Sequence, residues 1–165
     1  MKLPDEFEQG LSEALPRLRR FAHALSRDSA DADDLAQLTL ERALRARSRW
    51  QPGTRLDAWL YRIMRNLWVD EGRSRARKAK VERPAEEGEI VGFDPHAGQE
   101  AAIDLQRVVV AMGMLPDEQR EVVALILIEG FGYREAAELL DLPIGTVSSR
   151  LVRGRTALLT LLGEG

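Results

Sequence analysis

Apolar residues in this chain recur at spacings of three and four almost from end to end, and one stretch with no apolar face interrupts them. That spacing is the period of one face of a helix. A half-buried strand needs alternation instead, and no segment alternates convincingly. Phe7, Leu11, Leu15 and Leu18 to Leu25 mark one or two helices, with Pro16 as a kink or a restart. Ala32, Leu35, Ala36, Thr39, Leu40 and Ala43 form one face of a second segment. Leu56, Trp59, Leu60, Ile63 and Leu67 form the stripe of a third, opened by Thr54 with Asp57 three residues on as a capping box. Ala102, Leu105, Val109 and Met112 line a further face. Pro116 stands where the next helix begins and Gly130 where it closes, and Tyr133 to Leu140 and Ile144 to Leu162 complete an all-α chain.

The interruption lies at residues 82–100. There Glu82, Pro84, Glu86, Glu87, Gly88, Glu89, Gly92, Asp94, Pro95, Gly98 and Glu100 leave few apolar anchors. Acidic sequence rich in Gly and Pro is linker composition. The expected architecture is therefore two small helical domains, 1–80 and 101–165, joined by a flexible acidic linker at 81–100.

Composition removes several chemistries. The chain has no cysteine, so disulfide frameworks, thiolate metal sites and cysteine nucleophiles are excluded. Its two histidines, His23 and His96, are far apart with no partner at ligand spacing, and no Gly-rich phosphate loop or Ser-His-Asp order appears. No metal, no cofactor and no enzymatic activity are expected. Met1 to Gly10 is acidic and unlike a signal peptide, and the apolar run Val122 to Ile128 is too short to span a bilayer. The expectation is a cytoplasmic protein without direct membrane insertion. The formal net charge of −3 argues against a polyanionic partner only as an average. Basic residues gather at Arg73, Arg75, Arg77, Lys78 and Lys80, and again at Arg150, Arg153 and Arg155.

Near the C-terminus, Tyr133 to Leu140 is a short helix that Asp141-Leu142-Pro143-Ile144-Gly145 breaks before a second begins. On that second helix Val147, Leu151 and Leu158 share one side. Thr146, Ser149 and Arg153 lie opposite, with Arg150 at the flank. Small residues at a helix crossing, a tight turn and a polar outer face suit major-groove insertion, where hydroxyls approach bases and arginines reach guanine edges or phosphates. A plain αα-hairpin with a solvated charged face fits the same residues, and the Arg150, Arg153, Arg155 spacing favours the DNA reading.

The chain here resembles a known family. Leu115-Pro116-Asp117-Glu118-Gln119-Arg120, Glu129 to Ala137, Leu142 to Leu151 and Arg153-Gly154-Arg155 are similar to the promoter −35 binding domain of extracytoplasmic-function (ECF) sigma factors of the sigma-70 family. Asp34-Leu35-Ala36-Gln37 with Leu40 and Ala43-Leu44 resembles the family's polymerase-binding helix. Trp50-Gln51-Pro52-Gly53-Thr54 with Ala58 to Asn66 resembles its −10 recognition segment. Ser148 stands where many relatives carry Lys or Arg. Gly132 stands where Ser or Thr often caps the helix. Gly154 replaces the commoner Ala, at about 1 kcal/mol in helix propensity.

The resemblance implies a sigma factor that binds core RNA polymerase through the coiled coil of the largest subunit, recognises −10 and −35 promoter DNA, aids strand opening, and is held inactive by an anti-sigma factor. Its polymerase-binding residues would be Asp34, Gln37, Leu38 and Glu41. The loop of Trp50, Gln51, Pro52, Gly53 and Thr54 would enclose a flipped −10 base, and Asn66 would line its pocket. From the residues themselves, Arg62, Arg65, Asn66 and Arg73 share a face with Trp59 at its border. Arginines beside an amide suit opened DNA, the cations holding phosphates and the amide reading an unstacked base. Trp59 fits a core aromatic at least as well, and about half of the basic run to Lys80 fits a solvated helix end. The −35 set is Thr146, Ser149, Arg150, Arg153 and Arg155. A stand-alone helix-turn-helix regulator is the alternative, and the arginine–amide face counts against it.

Overall fold

The computed structural model describes residues 5–26, 28–79 and 99–163, with 73–79 and 99–103 given by backbone alone. Among these residues the chain forms seven α-helices and no strand. The expected linker at 81–100 lies almost wholly outside the described residues.

Helix α1, Glu6–Leu25, starts where Asp5 Oδ1 accepts the Glu8 N–H at 2.8 Å, with Glu6 and Glu8 beside the positive end of the helix dipole. It runs unbroken through Pro16. Helix α2, Ser29–Arg45, is capped the same way, Asp28 Oδ1 accepting from Ala30 N–H at 2.8 Å. A 3₁₀ turn at Arg47–Arg49 leads to α3, Leu56–Ala79. The three helices pack around Leu18, Phe21, Leu25, Leu35, Leu60 and Met64, all fully buried. Each such side chain contributes about 1.5–3 kcal/mol by leaving water.

The expected capping box at Thr54 is not formed. The Thr54 hydroxyl donates to the Gln51 carbonyl at 2.6 Å, and Asp57 Oδ1 accepts from Ala58 N–H instead. The reason is the preceding Pro52-Gly53. Proline presets the first turn dihedral, Gly53 has φ +87°, and the Thr54 N–H closes the turn on Gln51 O at 3.2 Å. Thr54 is consumed by that turn before the helix begins.

In the second half α4, Gln99–Met114, precedes α5, Asp117–Val123, which opens at Pro116 as expected. A π turn at Ala124–Ile128 follows and ends at Gly130, φ +77°. Helices α6, Tyr133–Leu140, and α7, Ile144–Leu161, form the helix-turn-helix. The Gly132 N–H donates to Glu135 Oε1 at 3.3 Å at the start of α6. Asp141 ends the helix in the left-handed region, φ 54°, while Leu142 N–H reaches back to Ala137 O at 2.9 Å.

The two halves pack on each other. Arg120, 3% exposed, donates to the last carbonyl of α1, Leu25 O, at 2.9 and 3.2 Å, satisfying a helix end that would otherwise face the interior bare.

Gly154 is explained by packing rather than treated as a defect in α7. A methyl group on its Cα would stand 2.7 Å from Val123 Cγ2 and 3.2 Å from Gln119 Cβ, so glycine lets α7 lie close on α5. Alanine gains about 1 kcal/mol of helix propensity, while overpacking opposes it by about 1–3 kcal/mol. Gly154→Ala is expected to lower stability by about 1 kcal/mol in urea denaturation. A raised midpoint would show that α5 yields freely.

Candidate nucleic-acid interface

On α2 the buried face is Ala32, Leu35, Ala36, Thr39 and Ala43. Asp34, Gln37, Leu38 and Glu41 are all exposed on the other side, so the fold brings the four together on one surface. Leu38 is 40% exposed, and Leu44, which periodicity alone did not single out, is 52% exposed two turns from Gln37. An apolar pair framed by an amide and carboxylates lies open along this helix.

The loop before α3 is anchored by aromatics. Trp50 is buried with its ring centroid 5.7 Å from that of Phe7, and half-buried Trp59 meets Phe7 edge-on at 6.1 Å. Trp50 thus holds the loop rather than lining its open side, and its indole N–H has no acceptor among the described residues. Trp59 takes the core position that the sequence also allowed. Gln51, Pro52, Gly53 and Thr54 are exposed at the tip. Asn66 is exposed on α3, ten residues beyond Leu56, which is about 15 Å at 1.5 Å per residue. The helix reaches Arg73, whose side chain lies outside the described residues, as do those of Arg75, Arg77, Lys78 and Lys80.

On α7 the structure leaves Ser149 and Arg153 exposed and Thr146 half-buried beside them, opposite the buried Val147, Leu151 and Gly154. Arg150 is turned toward Glu118, 3.7 Å away. Arg155 does not join this set. Nine residues from Thr146, it lies about half a turn round the helix at roughly 100° per residue. Exposed Val152 fills part of the space between.

Arg55, just before α3, and Arg62 and Arg65 on it meet the second half. Arg55 pairs with Glu135 and lies 5.0 Å over the Phe131 ring. Arg62 Nη2 donates to the Glu138 carbonyl at 2.9 Å, and Arg65 Nε donates to Glu121 Oε2 at 3.2 Å. Beneath them Glu129, its side chain fully buried, accepts both Nε and Nη2 of Arg20 at 2.8 Å and the Tyr61 hydroxyl at 2.7 Å, with Arg17 Nε 3.7 Å away. The hydrogen bond from Arg20 to Glu129 raises the arginine's pKa. Burial, then donation to Glu129, pushes the Tyr61 phenol up. Burial alone would raise Asp57, but hydrogen bonds from Arg55, the Ala58 N–H and Arg17 outweigh it and hold the carboxyl below its ordinary range. For Glu121 burial wins over Arg65 and the carboxyl is raised. Periodicity did not find this network. The one visible signal was a glutamate closing an apolar run, next to a glycine.

Residues 11–78 match the family model of sigma-70 region 2, and residues 105–158 match that of sigma-70 region 4. The chain is 37% identical to the ECF RNA polymerase sigma factor EcfG of Rhodopseudomonas palustris over 98% of its own length and 88% of that protein's. Among solved structures it resembles the sigma factor RpoE of Bartonella quintana in complex with the anti-sigma factor NepR. The TM-score there is 0.84 at 36% identity, over 96% of this chain and 97% of that one. It also resembles CnrH in complex with the cytosolic domain of CnrY, with a TM-score of 0.68 at 27% identity over 95% of this chain and 87% of that one.

A raised folded-state carboxyl stabilises fully below its unfolded pKa, and that contribution is lost as pH rises through the folded one. Glu121→Gln removes the decline. Urea midpoints from pH 4 to pH 7 are expected to move in the variant's favour relative to wild type as pH rises. The opposite trend would mean that pairing with Arg65 outweighs burial.

Proposed function

The chain belongs to the ECF family of RNA polymerase sigma factors, and from that premise we propose how its surfaces divide the work of promoter recognition. Residues 1–80 act as the unit that binds core polymerase, recognises the −10 element and assists its melting. Residues 101–165 act as the −35 unit, and 81–100 is the tether between them. The observation that carries this reading is the coexistence, in this order along one chain, of an arginine–amide face on α3 and a hydroxyl–arginine face on α7.

On α2, Asp34, Gln37, Leu38 and Glu41 form the polymerase contact, with Leu38 as its apolar anchor and the largest subunit's coiled coil as its partner. On α7, Thr146, Ser149 and Arg153 face the −35 major groove with Arg150 at the flank, while Arg155, turned away, serves the phosphate backbone. On α3, Arg62, Arg65 and Arg73 hold phosphates of the opened strand. The loop Gln51 to Thr54 receives an extruded base, with Trp50 and Trp59 as its packed support. Asn66, exposed on α3, lines the pocket for that base. Extruding a base costs a few kcal/mol, which contacts of this kind offset. None of these roles makes or breaks a covalent bond, so the chain serves as a non-enzymatic subunit. Among the described residues no helix is long and apolar enough to cross a membrane, which supports a cytoplasmic place of action. The complexes of the Bartonella factor with NepR and of CnrH with CnrY support control of this chain by an anti-sigma factor.

Two variants test the division. Leu38→Arg is expected to weaken binding to core polymerase by about 2 kcal/mol or more, the size of an interface anchor, with the helical circular-dichroism signal intact. Unchanged affinity would remove α2 from the interface. Asn66→Ala is expected to leave core binding intact and to cut open-complex formation about tenfold, the equivalent of one hydrogen bond of roughly 1.4 kcal/mol. Permanganate reactivity of −10 thymines with the variant holoenzyme reads this directly, and a promoter pre-melted by mismatches should recover part of it. Wild-type reactivity on duplex DNA would make Asn66 structural.

A further inference from the structure

Helix α1 holds the loop before α3 at both of its ends. Phe7, Gly10 and Arg17 fall on one stripe of α1, at steps of three and seven residues. Before the loop, Arg47 pairs with Asp5 and, at 3.5 Å, with Glu8, and its guanidinium lies 5.1 Å from the centre of the Phe7 ring. The carbonyl of the same Arg47 accepts the Trp50 N–H at 3.2 Å, and the Trp50 ring packs on Phe7 at 5.7 Å. After the loop, Leu56 lies over Gly10, where a methyl group would stand 2.6 Å from Leu56 Cδ2, and Arg17 Nη1 donates to Asp57 Oδ2 at 3.2 Å. Between these holds the exposed tip, Gln51 to Thr54, is closed only on itself, by the Thr54 N–H and hydroxyl on the Gln51 carbonyl.

We propose that the first turns of α1 are the positioning element of the −10 loop: Phe7 and Arg47 set the entry of the loop through Trp50, so that its tip is already shaped for the extruded base. This rests on the assignment of Gln51 to Thr54 to that base made above. A receptor for one base works only if its groups are held to within roughly 0.5 Å of the productive geometry. A four-residue tip with no support of its own would have to be ordered by the base, and anchoring both ends beforehand removes that entropic cost. The two ends are held by different means. Arg17 at the exit also lies 3.7 Å from Glu129 and so serves the contact between the halves. The entry hold serves the loop alone. Phe7 is buried and acts only through what packs on it, while Arg47 is half-buried between two exposed carboxylates. Ion pairs of that exposure add little to stability, so what three contacts on one guanidinium supply here is orientation.

Phe7→Leu keeps an apolar core and removes the ring contacts, and Arg47→Ala, at a surface side chain, decides the matter should Phe7→Leu fold poorly. Each holoenzyme is titrated with single-stranded −10 oligonucleotides, intact or with an abasic site placed at each position in turn. Wild type is expected to lose about tenfold in affinity at one position, the share of a single base contact. Both variants are expected to bind the intact strand more weakly by about that factor and the strand abasic at that position as wild type does, with affinity for core polymerase unchanged. Arg47→Lys keeps a cation between Asp5 and Glu8 and is expected to restore part of the discrimination. Equal weakening toward intact and abasic strands, or full discrimination in both variants, overturns the positioning role and leaves the −10 assignment in place. A wild type that loses nothing at any abasic position overturns the loop assignment, and the positioning role with it.

Discussion

The arrangement of this molecule depends on one buried carboxylate. Glu129 follows the π turn directly and precedes Gly130, so the backbone that carries it also sets the start of α6. Its hydrogen bonds reach Arg20 on α1 and Tyr61 on α3, two elements of the other half. The ring of Tyr61 is packed between Phe21 and Phe131, with centroids 4.9 and 5.1 Å away, and this aromatic column shields the ion pair from water. Low local polarity strengthens the pairing and makes its loss expensive at the same time. The orientation of the helix-turn-helix against α3 is therefore set by this polar contact together with the aromatic packing around it.

The rest of the interface is graded in strength around that point. Arg120, itself buried, holds the end of α1 by its carbonyl and lies under Trp68, 5.8 Å from the ring centroid. Arg65 and Glu121 are largely buried, and burial leaves Glu121 reluctant to ionise. Arg55 with Glu135, and Arg62 with its carbonyl, are at the wet rim and are each worth about 1 kcal/mol or less. A net charge of −3 conceals this complementarity, since residues 1–80 carry 17 Lys and Arg against 12 Asp and Glu, whereas residues 101–165 carry 6 against 9. Such an interface is specific in orientation.

Much of the fold was legible from residue spacing, because helix periodicity and stop signals are local. Pro116, Gly130 and the Asp141-Leu142-Pro143 break all mark the boundaries observed. The exposed faces of α2 and α7 were legible for the same reason, since burial of one helix stripe exposes the other. Thr54 was misread because a capping box and a Pro-Gly turn compete for one hydroxyl, and periodicity does not rank them. Gly154 read as a helix defect because a single chain does not show what packs on it, here Val123 and Gln119. Tyr61 and Glu129 are 68 residues apart, and no pattern in one sequence pairs them. Arg155 was grouped with its neighbours by charge, whereas the helical wheel separates it.

The placement of Gly154 ties the second helix of the helix-turn-helix to the Glu129 contact. Without a side chain there, α7 rests directly on α5, and α5 holds Arg120 at the end of α1. The π turn continues α5 into Glu129, so α5, the turn and α7 share one rigid stack with little slack between them. Close-packed interiors of this kind shift as bodies and do not deform continuously. The outward face of α7 and the carboxylates set against α3 must then move together.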